Sequence, residues 1–119
     1  MQEFDIPIFK KAYELYKNFH LIRSSVSKQD RYTIFLRTEN IMLDVLEGIL
    51  EASQMAKSEK LPILEKTSIK LNFLRVFLRL MKDVKSIDLK KYALMEENVD
   101  EIGRMLGGWI RSIKENKRI

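Results

Sequence analysis

Apolar residues recur at every third or fourth position in four separate stretches of this chain, and that period commits it to helices. An α-helix turns about 100° per residue, so positions three and four apart share a face, whereas a strand needs strict alternation. In the first stretch Ile8, Phe9, Ala12, Leu15, Tyr16, Phe19 and Ile22 fall on one side, with Lys10, Glu14, Lys17 and Asn18 opposite. Pro7 stands just ahead, where a helix has no use for the N–H that proline lacks. The run Ser24-Ser25-Val26-Ser27 ends the stretch, and Ser27 with Asp30 three residues on resembles a capping box. Ser58-Glu59-Lys60 before Pro62, and the break at Ser86 before the N-cap Asp88, mark the remaining boundaries. The expected helices run over about 8–23, 30–57, 62–85 and 88–117. All connections are short, so sequential helices are antiparallel. Only four glycines and two prolines punctuate 119 residues, which argues against a sandwich or barrel. The expected fold is all-α: one domain, 1–119, forming an antiparallel up-down-up-down four-helix bundle.

Several function classes drop out. Without cysteine there is no disulfide scaffold, thiolate metal site or thiol nucleophile, which fits a reducing compartment. No apolar run approaches the length of a membrane span. The opening MQEFDIPIF carries acids where a signal peptide carries Lys or Arg, so a cytoplasmic location is expected. His20, the single histidine, has no nucleophile placed beside it and reads as a solvent-edge residue. There is no Glu-x-x-His pair for a two-metal bundle site. The acidic cluster Glu96, Glu97, Asp100 and Glu101 is expected to pair with basic neighbours. Gly103-x-x-x-Gly107-Gly108 lacks the Lys-Ser/Thr of a phosphate loop and lies inside a helix. The expectation is a chain that is not an enzyme and takes no metal or cofactor.

Charge is distributed unevenly. Residues 1–28 carry +2, 29–59 carry −3, 60–85 carry +5 and 86–119 carry +1, giving the net +5. On the third helix Arg75, Arg79 and Lys82 fall in a narrow arc opposite Phe73, Val76, Phe77, Leu80 and Val84, with Lys85 nearby. On the fourth, Arg104 and Arg111 line up two turns apart on the outer face, followed by Lys114, Lys117 and Arg118. Such a stripe neutralises a phosphate backbone without reading bases, and it equally suits an acidic protein surface. No exposed aromatics interleave with it, so base stacking is not supported.

The second helix carries more apolar surface than one bundle needs. Beside its inward stripe, Leu36, Leu43 and Leu50 form a second line spaced by sevens, read as an oligomer contact against the alternative of a broad core face. Glu39 projects near that line and wants a basic partner, one that another subunit can supply. Gly103, Gly107 and Gly108 each cost a helix roughly 1 kcal/mol relative to Ala, which points to a close neighbour. Trp109 lies on the apolar stripe and reads as a core anchor.

Longer segments carry a resemblance. Tyr13-Glu-Leu-Tyr16, Arg31-Tyr-Thr-Ile-Phe-Leu-Arg-Thr-Glu-Asn40, Leu43-Asp-Val-Leu-Glu-Gly-Ile-Leu-Glu-Ala52 and Glu101-Ile-Gly-Arg-Met-Leu-Gly-Gly-Trp109-Ile resemble the accessory variability determinant proteins of diversity-generating retroelements. These belong to a wider set of four-helix-bundle proteins that includes those encoded in intervening sequences of 23S ribosomal RNA genes. The chain lacks the Ser-Ile-Pro-x-Asn-Ile-Ala-Glu-Gly type of segment of that ribosomal branch, and has Val26-Ser27-Lys28 where relatives often show Phe-Pro-Lys. The resemblance implies a homopentameric barrel of bundles that binds RNA and DNA with little sequence preference. It also implies association with the element's reverse transcriptase, which copies a template RNA into mutagenised cDNA. The ribosomal-intervening-sequence type, RNA-associated or of unknown role and without a polymerase partner, is the alternative.

Overall fold

Four long helices close around a single apolar core in the computed structural model, which describes residues 6–117 and side chains through residue 115. Residues 1–5 and Arg118 lie outside the described residues, and for Lys117 the backbone alone is described. The elements are α1 (Pro7–Leu21), a single-turn α2 (Lys28–Arg31), α3 (Ile34–Gln54), α4 (Lys57–Asp83) and α5 (Leu89–Lys117), with a 3-10 turn at Arg23–Ser25. Helices α3 and α5 each pack against both α1 and α4, so the four long helices sit at the corners of a square. The bundle measures 52 × 25 × 21 Å. Among the described residues there is no strand, and no helix is long and apolar enough to cross a membrane.

Each long helix turns one stripe inward. Phe19 of α1 stacks on Phe35 of α3 with centroids 4.4 Å apart and rings 8° from parallel. Ile49, Leu64, Leu74, Leu78, Met81, Val99, Ile102 and Leu106 are buried with them. Each such side chain contributes about 1.5–3 kcal/mol of burial, which holds the helices together. Helices α3 and α4 approach closely at Gly48 of α3. A Cβ there would collide with the Thr67 hydroxyl and lie 3.2 Å from the Thr67 Cβ and Cγ2.

The boundaries differ from the sequence expectation at three places. The second helix does not run unbroken from 30. Ser27 Oγ accepts from the Asp30 N–H at 3.2 Å, but the reciprocal half of the capping box is missing. The Asp30 carboxylate instead accepts from Ser86 Oγ at 2.6 Å, tying α2 to the turn between α4 and α5. Arg31 is equally occupied, donating to the carbonyls of Arg23, Ser24 and Val26 at 2.9–3.1 Å and so closing the 3-10 turn. The chain then kinks at Tyr32–Thr33 before α3 begins.

Helix α4 starts at Lys57, so Ser58, Glu59 and Lys60 are its first turn rather than a break, and Pro62 lies inside it. The backbone bond that proline cannot make would have gone to Ser58, and both residues are exposed, so solvent can reach the orphaned carbonyl. Finally, α4 ends at Asp83. Ser86 N–H donates to the Met81 carbonyl at 2.8 Å and Lys85 N–H to Lys82 at 3.0 Å, a Schellman motif that puts Lys85 at φ 67°. Asp88 caps α5 as expected, its carboxylate accepting from the Lys91 N–H at 2.8 Å.

Candidate nucleic-acid interface

The basic residues of α4 lie beside the core rather than opposite it. The inward stripe of this helix is Leu64, Thr67, Leu71, Leu74, Leu78 and Met81. Arg75, Arg79 and Lys82 flank that stripe on the side of α5, because each is one or four positions from a core residue. Phe73, Val76, Leu80 and Val84, which the sequence reading set opposite the bases, are exposed. Helix α4 therefore carries two apolar stripes, and the basic arc runs along the seam between α4 and α5.

That seam decides what each cation can do. Arg75 lies across the backbone of α5. Its guanidinium pairs with Asp100, and one Nη stands 2.5 Å from where a Gly103 Cβ would sit. A Cβ at Gly103 would make the flexible end of this arginine shift, which is the close neighbour found for one of the three α5 glycines. Lys82 sits 4.8 Å from the Tyr92 ring centroid and 3.6 Å from Asp83. Lys114 reaches Glu65 at 3.7 Å. Lys85 stands in the αL turn at the end of the bundle, not on a helix face.

Arg79, Lys85, Arg104 and Arg111 have no ion-pair partner among the described residues. All four are exposed. Arg104 and Arg111 project from the outer face of α5, as their spacing predicts. The Arg111 guanidinium is the nearest group to Gly107 and Gly108, at 3.6 and 3.8 Å from their Cβ positions, and otherwise both are open to solvent. These two glycines leave a low, flat surface under an arginine.

Acids interleave with the bases. Arg75 and Arg79 line a shallow cleft with Tyr92 and Glu96, and Arg104 lines another with Glu96, Glu97 and Asp100. Burial, followed by a hydrogen bond to Glu96, pushes the Tyr92 phenol above its usual range. Within the acidic cluster of α5, Asp100 pairs with Arg75 and Glu101 with Lys11 at 3.3 Å.

The leucine line divides. Leu36 and Leu43 are exposed, whereas Leu50 is half-buried against the core. Glu39 finds its partners within the chain: it accepts from the Tyr16 hydroxyl at 3.2 Å and lies 3.7 Å from His20 Nδ1. Burial and then the Glu39 charge push the Tyr16 phenol upward. His20 is solvent-edged, as its phase predicts. Trp109 is half-buried against the core with Lys60 5.7 Å from its ring centroid. Among the described residues no group of three His, Asp or Glu is placed to hold a metal ion.

The sequence reading grouped Phe73, Val76 and Leu80 on one side of α4 but did not recognise them, with Ile69, as an outer stripe. Its signal was present as a second run of apolar residues at four-three-four spacing, out of phase with Leu64, Leu71, Leu74 and Leu78.

A family model described as bAvd-like matches residues 7–113, nearly the whole bundle. No curated protein matches the chain.

Proposed function

The chain belongs to the bAvd-like family, an accessory and non-catalytic kind of protein, and from that premise we propose that it is the accessory subunit of a diversity-generating retroelement. In this reading it binds template RNA or cDNA, associates with the element's reverse transcriptase and assembles as a homo-oligomer, a pentamer, in the cytoplasm. The family match over residues 7–113 is the observation that carries the proposal.

Charge supports the nucleic-acid part of it. Arg79, Arg104 and Arg111 lack ion-pair partners among the described residues, so their charge is available to a polyanion without breaking the fold. The stretch of α5 from Tyr92, beside Arg79, to Lys114 spans about 33 Å at 1.5 Å per residue. That length is close to one turn of duplex, about 34 Å. Contacts from guanidinium and ammonium groups to phosphate fix position on a strand and carry no sequence information, so binding is broad. Arg75, Lys82 and Lys114 are secondary contributors, because each already has an acidic partner.

The test is co-expression with the reverse transcriptase of the retroelement to which this reading assigns the chain. The expected result is a co-purifying complex whose template-primed cDNA synthesis is lost when the chain is omitted. A polymerase that neither binds the chain nor depends on it would refute the proposal and favour the ribosomal-intervening-sequence type of role.

A further inference from the structure

Two apolar helix faces of the protomer are exposed among the described residues. On α4, Ile69, Phe73, Val76 and Leu80 are 55%, 49%, 65% and 42% exposed. Their four-three-four spacing is that of a seam which seats a second helix. On α3, Leu36 and Leu43 are 42% and 37% exposed and lie two turns apart. We propose that the α4 face of one copy packs against the α3 face of the next. This rests on the homo-oligomeric reading above and says which surfaces make the contact.

Charge selects the pairing. Helix α4 carries seven bases and three acids, a balance of +4, while α3 carries one base and four acids, a balance of −3. Exposed Lys66 lies on α4 beside its apolar stripe and exposed Glu47 beside the leucine line of α3, and both also line a groove between α3 and α4 of their own chain. Packing α4 on α4, or α3 on α3, sets like charges against each other around a desolvated seam. Packing α4 on α3 sets opposite signs together, the arrangement that charges flanking a helical seam use to choose partner and register.

The contact is therefore between two different surfaces. A copy whose α4 face is filled still has an open α3 face, so addition continues until a ring closes. A two-fold dimer in which α4 meets α4, or α3 meets α3, is disfavoured by the same charges.

Two variants separate the possibilities. Val76→Asp disables the α4 face and Leu43→Asp the α3 face, and both positions are exposed, so helicity by circular dichroism stays at the wild-type level. Light scattering on a sizing column is expected to give a multimer for the wild type and 14.1 kDa for each variant alone. An equimolar mixture of the two is expected to give a pair at twice 14.1 kDa, since it retains one intact face of each kind. Because the chain has no cysteine, cross-linking gives a readout free of disruptive charge. Val76→Cys combined with Leu43→Cys or with Leu36→Cys is expected to yield a ladder of oxidised multimers, and each single cysteine variant none. A Val76→Asp protein that keeps its full mass, or a Val76→Cys single variant that cross-links to itself, overturns the pairing and leaves the oligomer standing. So does the absence of a ladder in both double cysteine variants. A wild-type monomer overturns the pairing and the oligomeric reading together.

Discussion

Gly48 and Thr67 set the distance between α3 and α4, and a single methyl group tests that statement. Thr67 is buried and β-branched, and its hydroxyl donates to the Ile63 carbonyl at 2.8 Å, so it has little freedom to retreat. Gly48→Ala gains up to about 1 kcal/mol in helix propensity but loses roughly 1–3 kcal/mol to overpacking. A lower denaturation midpoint is the expected outcome, with the loss largely recovered in the Gly48→Ala/Thr67→Ala double variant. A single variant as stable as wild type would show that the helices can separate freely. Lys85 makes the opposite case. A non-glycine residue in the αL region costs roughly 1–2 kcal/mol, part of which glycine gives back as unfolded-chain entropy. Lys85→Gly should raise stability by roughly 0.5–1 kcal/mol, read as a higher Tm. A fall in Tm would contradict the Schellman assignment. Neither residue was legible from the sequence as a packing determinant. The three glycines of α5 drew attention by number, whereas a lone glycine in α3 signals a close approach only once its partner helix is known.

At the scale of the element, the inward stripes of α1, α3 and α5 were readable because each has one dominant apolar face. Helix α4 was ambiguous because it has two. A sequence shows that Phe73, Val76 and Leu80 share a side, but not whether that side meets the core or another molecule. Its outer stripe competed with Leu64, Leu71, Leu74 and Leu78, and the resemblance of the two patterns hid which was inner. Boundaries failed for a different reason. Serines and a proline mark breaks only when solvent exposure or tertiary bonds do not compensate, and at Ser58–Pro62 exposure does. If Pro62 is tolerated rather than needed, Pro62→Ala should stabilise α4 by up to about 3 kcal/mol, seen in the urea midpoint. Destabilisation instead would show that the proline is fixing how the α3–α4 connection enters the helix. Asp88→Ala should cost about 1 kcal/mol through the lost cap on the Lys91 N–H, and the same titration checks it.

The whole molecule joins an ordinary bundle core to two surfaces of different character. The seam and outer face of α4 and α5 offer cations, and the outer faces of α3 and α4 offer apolar contact. Bundle architecture and the cationic outer face of α5 were legible from helical phase. The use of Arg75 and Lys114 as interhelical ties was not, since it depends on which acids the packing brings near. That distinction sharpens the charge test: reversing Arg75 also breaks its pair with Asp100, so Arg79, Arg104 and Arg111 are the cleaner positions. The measurement to make is the affinity of the assembled protein for a labelled RNA across a salt series, with Arg79→Glu/Arg104→Glu/Arg111→Glu beside the wild type. Wild-type affinity should fall steeply and linearly on logarithmic axes. The variant should bind at least about tenfold more weakly at low salt with a slope shallower by roughly two, as expected when about three phosphate contacts are lost at about 0.7 each. A folded variant with unchanged affinity and slope, or a wild type that binds no RNA at low salt, would contradict it.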